Sequence, residues 1–120
     1  MNNLSQFYNG KEYRFNKRYN IWIREDGLIV DNNFQPITLY EFTSNLGHKY
    51  LGFWFHGNVT YAHRVIAFCW CTGYKKGLVV DHIDGNRLNN NPSNLQWITQ
   101  SENVRKGLNN KRRKIKKIGA

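Results

Sequence analysis

The first half of the chain alternates apolar and polar positions with a period of two, and the second half opens on a different period. In "YNIWIREDGLIVDNN", Ile21 and Ile23 alternate with polar or aromatic neighbours, and Asp26–Gly27 is a turn dipeptide ahead of a second apolar run. That pattern predicts a β-hairpin. "PITLYEF" predicts a strand that Pro36 confines to a sheet edge or to a strand start. "KYLGFWFHGNVTYAHR" predicts a second hairpin, with "YLGFWF" and "VTYA" meeting around His56–Gly57–Asn58. Together these runs read as one small, aromatic-rich antiparallel sheet, without internal repeats.

At Ala62 the period lengthens. In "AHRVIAFCW", Val65, Ile66, Cys69 and Trp70 fall on one helical face, and Thr72–Gly73 ends the helix. "GLVVDH" and "NLQWIT" then predict two short buried strands joined by an asparagine-rich loop. Thr99 closes the second strand and opens "TQSE", a capping box with Thr99 as N-cap and Glu102 three residues on. The last helix is expected from about Gln100 to Gly107, with Gly107 as its C-terminal cap and with Val104 and Leu108 packing it onto the sheet. The fold class is α+β. The expected organisation is an N-terminal β module over 1–62, a helix and strand–loop–strand–helix core over 63–108, and a basic tail over 109–120.

A length of 120 residues with 40% hydrophobic content, including 7 Phe, 7 Tyr and 4 Trp, suits one modest globular core. No apolar run approaches the ~18–20 residues that a membrane span needs. The N-terminus lacks the charged-then-apolar pattern of a signal peptide, so a cytoplasmic location is expected. Cys69 and Cys71 are two apart, which suits neither a mutual disulfide nor a zinc site without a second pair. They read as structural thiols.

Charge narrows the choice of partner. The net charge is +10, and six cations (Lys111, Arg112, Arg113, Lys114, Lys116 and Lys117) fall in the last ten residues, leaving +4 for the rest. Glu102 is the last acidic residue, and Arg105 and Lys106 extend the basic stretch toward the tail. Such an excess favours a polyanion. "KRRKIKKIGA" has no regular bulky apolar face, so nucleic acid is favoured over a membrane surface.

The loop supplies the chemistry. "VVDHIDGNRLNNNPSNLQW" packs five asparagines and an Asp–His pair between two apolar runs. Asp81 and His82 sit where the first strand ends, Asn94 starts the second, and Asn103 lies in the first turn of the last helix. A hairpin capped by a helix can converge all four. That gives two hard oxygen ligands, one imidazole and one carboxamide to orient it. Oxygen ligands with open positions suit Mg²⁺ or Mn²⁺, and a neutral histidine held at its second ring nitrogen is poised as a general base. Asp84–Gly85 reads as a turn, and Asn86, Asn89, Asn90 and Asn91 read as residues that satisfy loop backbone locally.

From His63 to about Gly107, "HRVIAFCW…GLVVDHIDGNRLNNNPSNLQWITQSENVRKG" resembles the HNH endonucleases, in the branch of phage and intron-encoded homing nucleases. The resemblance rests on D-H, then D-G-N, then N-x-x-x-N-L-x-W, then an S-x-N helix. It implies a ββα-metal finger in which His82 is the general base, Asn94 orients it, and Asp81 and Asn103 hold one divalent ion, Mg²⁺ or Mn²⁺. The implied reaction is hydrolysis of phosphodiester bonds in double-stranded DNA, leaving 5′-phosphate and 3′-hydroxyl ends. One site per chain suits nicking by a monomer or weak dimer. Two other readings are a DNA-binding protein on this fold that no longer cuts, and a structure-specific or RNA nuclease. The candidate DNA-contacting cations are Arg64, Lys75, Lys76, Arg87, Arg105, Lys106 and the six of the tail. His63 reads as a capping or packing residue, and Trp97 as core.

Overall fold

A computed structural model describes residues 4–108; from Ile21 onward its strands and helices follow the predicted order, and two strands that were not predicted precede them. Four strands open the chain: β1 (Ser5–Tyr8), β2 (Lys11–Asn16), β3 (Ile21–Arg24) and β4 (Ile29–Val30), paired antiparallel in that order. Then come β5 (Tyr40–Thr43), β6 (Lys49–Phe55) and β7 (Asn58–Tyr61), a separate three-stranded sheet. Helix α1 (Ala62–Trp70) leads into β8 (Val79–His82) and β9 (Leu95–Ile98), which form a two-stranded ribbon. Helix α2 follows from residue 100 and is helical through 108.

Turn chemistry sets the registers. Both expected hairpins form, around Asp26–Gly27 and around His56–Gly57. His56 and Gly57 have φ of 49° and 79°, the doubly positive pair that a tight hairpin with the native strand twist requires. A third hairpin, β1–β2, turns on Asn9–Gly10 with φ of 51° and 78°. Asn-Gly flanked by apolar residues is a strong hairpin signal, and it stands in plain view in "FYNGKEY".

Four expectations are corrected. The first half forms two sheets rather than one. The strand expected from Pro36 begins at Tyr40, and Pro36 instead makes a single bridge to Val30 at the edge of the first sheet. Gly107 does not cap α2, because the helix continues through Leu108. Val104 and Leu108 are 54% and 51% exposed rather than packed on a sheet. With about 100° per residue, both lie roughly opposite Lys106, and Lys106 is the residue that faces β8.

The main core joins the two halves. Ile21, Ile23 and Ile29 from the first sheet pack with Phe53 of β6, with Ala62, Val65, Ile66 and Ala67 of α1, and with Leu95 of β9. Full burial of each such aliphatic side chain stabilises the fold by about 1.5–3 kcal/mol. The opposite face of the first sheet buries Tyr13, Trp22 and Val30 beneath Phe15, Leu28 and Phe34. Polar ties lock α1 to the sheet: Trp70 Nε1 donates to the Ile23 carbonyl (3.0 Å) and Arg14 Nη1 to the Cys69 carbonyl (2.9 Å). The Arg14 guanidinium also lies 3.9 Å from the Trp70 ring centre. Both cysteines are free thiols, as expected. Among the described residues, no helix is long and apolar enough to cross a membrane.

Candidate active site

The β8–β9 ribbon pairs Asp81 with Gln96 and His82 with Leu95. Asp81 and His82 are each only 6% exposed, although one is an acid and the other a base. Burial of such groups requires partners, and both have them. Gln96 Nε2 donates to Asp81 Oδ2 (2.9 Å), and the Lys106 ammonium reaches both Asp81 oxygens at 2.9 Å. His82 Nε2 lies 2.8 Å from Asn90 Oδ1. An amide oxygen only accepts, so the neutral ring carries its proton on Nε2 and keeps Nδ1 as its basic nitrogen.

Burial lowers the His82 pKa below the usual imidazole value, and the Asn90 bond and the charges of Asp81 and Asp84 only partly oppose it. The ring is therefore neutral near pH 7, the form that can take a proton. His63, on the first turn of α1, packs 5.1 Å from the His82 ring and stacks on Tyr61 at 5.6 Å. Burial, with the neighbouring His82 and Arg64 charges, holds its pKa down at about 3. The N-cap of α1 is Tyr61, so His63 packs rather than caps.

The loop is built as a frame around Asn94 and Asp84. Asn94 is buried, and its Oδ1 accepts from the Asp84 N–H (3.0 Å). Its Nδ2 donates to Asp84 Oδ1 and to the Asn89 carbonyl, both at 2.9 Å. The Asp84 carboxylate also accepts from the Asn86 N–H (2.8 Å) and from Asn89 Nδ2 (3.0 Å). These donors hold its pKa below the ordinary carboxylate value. Asn91 Oδ1 accepts from the Ser93 N–H and starts the single turn Pro92–Asn94. The turn role expected of Asp84 and the local bonds expected of Asn86, Asn89 and Asn91 are what the structure shows.

Asn94 was expected to hold the imidazole. The structure gives that contact to Asn90 and uses Asn94 to brace the loop, because the Asn94 amide is already spent on three loop groups. The capping box forms as expected: the Glu102 N–H donates to Thr99 Oγ1 (3.1 Å) and the Thr99 N–H to Glu102 Oε1 (3.2 Å). It places Asn103 in the first turn of α2, exposed, and three residues before Lys106 on the same helical face.

Lys106, counted among the DNA-contacting cations, is committed to Asp81 instead. Arg64, Lys75, Lys76 and Arg105 are exposed, and Arg87 leans over the Tyr50 ring at 6.0 Å. The cations from Lys111 to Lys117 lie outside the described residues. Sequence reading missed the roles of three residues here, Lys106, Gln96 and Asn90. Lys106 was readable from its i, i+3 relation to Asn103, and Gln96 from counting the ribbon register back from its loop. Nothing in the string Asn89–Asn90–Asn91 singles out Asn90.

The donor set beside Asp81 suits a hard cation. The carboxylate and the His82 and Ile83 carbonyls already surround one positive charge, the Lys106 ammonium, at 2.8–3.1 Å. Asn103, the second ligand that the resemblance implies, is exposed on α2 three residues before Lys106. Among the described residues, no group of three or more His, Cys, Asp or Glu could hold a metal. An ion here would therefore rest on one carboxylate with neutral oxygens and water, a combination typical of Mg²⁺ or Mn²⁺.

A two-stranded ribbon closed by a helix, with Asp–His at the end of its first strand, defines a ββα finger nuclease fold. Comparison with known proteins agrees. The HNH endonuclease family matches residues 60–105. Over 48 residues the chain is 52% identical to the DNA endonuclease I-HmuI of Bacillus phage SP01, covering 40% of this chain and 28% of that one. Over 86 residues it is 34% identical to YosQ of Bacillus subtilis (strain 168), named as an SPbeta prophage-derived HNH homing endonuclease, covering 69% of this chain and 49% of that one. A solved structure concerning DNA binding and cleavage by the HNH homing endonuclease I-HmuI superposes with TM-score 0.63 at 31% identity, covering 89% of this chain and 67% of that one. The chain belongs to the HNH endonuclease family. It spans less than half the length of the two curated relatives.

Proposed function

We propose that the chain is a metal-dependent DNA endonuclease of the homing type that nicks one strand and leaves 5′-phosphate and 3′-hydroxyl ends. The observation that carries this reading is the buried, neutral His82 fixed beside Asp81 at the end of β8. His82 Nδ1 accepts the proton of the attacking water, while Asn90 holds the far side of the ring through Nε2. Asn94 keeps the loop in shape through Asp84 and Asn89. Asp81 and Asn103 would hold Mg²⁺ or Mn²⁺, which when bound supplies positive charge to the scissile phosphate and the leaving 3′ oxygen. Exposed Arg64, Lys75, Lys76 and Arg105, with the basic run 111–117, suit the phosphates of double-stranded DNA. Such contacts position the duplex without reading its sequence.

Incubation of the protein with supercoiled plasmid in Mg²⁺, Mn²⁺ or EDTA tests the reading. Relaxed circles should form before linear DNA, and chelator should abolish both. Equal cleavage in EDTA overturns the metal-dependent mechanism, and linear DNA without a relaxed intermediate overturns nicking.

A further inference from the structure

The cation beside Asp81 in this structure is a side chain. Lys106 Nζ donates to both Asp81 oxygens (2.9 Å each), to the His82 carbonyl (2.8 Å) and to the Ile83 carbonyl (3.1 Å). An ammonium has three protons, so four oxygens within 3.1 Å form a cup around a charge rather than a single surface ion pair. Asp81 is the buried partner, and Gln96 already takes one further position on Oδ2. A divalent ion bound to the same carboxylate would compete with the ammonium for the same oxygens. An ammonium that stayed in the cup would then be a near neighbour of like charge, with unfavourable energy at close range.

We propose that Lys106 is an internal cation that occupies the Asp81 cup in the metal-free protein, and that a divalent ion binds by displacing it. The inference rests on the proposed metal role of Asp81. It also accounts for how α2 is held. The apolar residues Val104 and Leu108 face away from the body, so the described contacts that anchor this helix are its capping box and the Lys106 cup. Displacement exchanges one anchor for another, because Asn103 on the same face takes its place as a ligand from α2. The freed ammonium sits on a flexible four-carbon stem beside the ion, where a DNA phosphate oxygen is its natural next acceptor.

The test is a titration of the full chain with Mn²⁺ in the absence of DNA, read by electron paramagnetic resonance. Wild type is compared with Lys106→Met, Lys106→Gln and Lys106→Arg, and with Asp81→Asn as the site control. Loss of a charge-assisted competitor should tighten Mn²⁺ binding in both neutral variants about tenfold or more. Lys106→Arg should bind no more tightly than wild type. Amide exchange over residues 100–108, measured in EDTA, should be faster in Lys106→Met and should return toward the wild-type rate when Mn²⁺ is added. Equal or weaker Mn²⁺ binding in both neutral variants overturns the displacement proposal while leaving the metal site standing. Mn²⁺ binding that is absent from every protein, or unchanged by Asp81→Asn, overturns the metal role of Asp81 itself, and the displacement proposal falls with it.

Discussion

In β3 three consecutive residues, Ile21, Trp22 and Ile23, are buried, because the strand is covered on both faces. In the twelve residues between β8 and β9 the pattern inverts: Ile83 and Leu88 are 48% and 42% exposed while the polar Asn94 is buried. The sheet is held by apolar area, which is non-directional and tolerates small shifts. The loop is held by hydrogen bonds, each of which fixes a donor and an acceptor to within a few tenths of an ångström. A protein that must place a base and an ion ligand within one small volume gains from the second kind of support where the chemistry is. It leaves the first kind to keep the whole folded.

The comparison predicts that damage to the two regions will show in different measurements. His82→Ala should lower the cleavage rate by about 10²–10⁴-fold, the usual cost of losing a general base. DNA affinity should be nearly unchanged, and the melting temperature should fall less than in the core variant below. A variant that keeps more than about half the wild-type rate rules His82 out as the base. Ile23→Ala should do the reverse, costing about 2–5 kcal/mol of unfolding free energy as a buried aliphatic cavity. Its rate per folded molecule, measured well below the melting temperature, should match wild type. A drop in that rate would show that the sheet sets site geometry as well as stability.

The two regions meet at the β3–β4 turn, and a substitution there should blur the distinction. Gly27, in the β3–β4 turn, has φ of 97°, and a Cβ on it would fall 2.6 Å from the Asn90 carbonyl oxygen. Gly27→Ala should therefore cost about 1–3 kcal/mol in stability through backbone strain. It should also push the loop that carries Asn90 and slow cleavage more than Ile23→Ala does. Denaturant unfolding and single-turnover cleavage on the same preparation separate the two effects. If stability falls and the rate holds, the loop absorbs the displacement before it reaches His82.

How much of this was legible beforehand follows from the same contrast. Elements set by local rules were readable: the Asp26–Gly27 and His56–Gly57 turns, the α1 face of Val65 and Ile66, and the Thr99–Glu102 capping box. The family motif pointed to Asp81, His82 and Asn94, which lie on or beside the β8–β9 loop, and to Asn103 on α2, although Asn90 rather than Asn94 meets the imidazole. Non-local geometry was not readable. Whether β5 joins the first sheet or starts a second depends on the path from Pro36 to Tyr40, which no periodicity encodes. Val104 and Leu108 looked like a packing pair because spacing shows which residues share a face but not which way the face points. The Lys106 anchor on Asp81 decides that. Asn90 was passed over for the same reason: among three adjacent asparagines, only the fold of the loop selects the one that meets the imidazole.

Asn90 carries the smallest and most diagnostic of these effects. Its Oδ1 accepts from His82 Nε2 at 2.8 Å, one neutral hydrogen bond worth about 0.5–1.5 kcal/mol net. Asn90→Ala should therefore slow cleavage only about 2–10-fold, far less than removing the base, and the loss should lie in kcat rather than in KM. The pH dependence gives the sharper test. The bond raises the His82 pKa against the lowering effect of burial, since it favours the protonated ring. Without it the pKa falls further, and the ring stays neutral to lower pH. The acid limb of the pH–rate profile should then move to lower pH while the plateau drops, because a base must be unprotonated to act and rate rises as pH climbs through its pKa. A plateau that drops with the limb unmoved would mean that Asn90 only shapes the loop, as Asn89 and Asn91 do, and that the imidazole is held by something else.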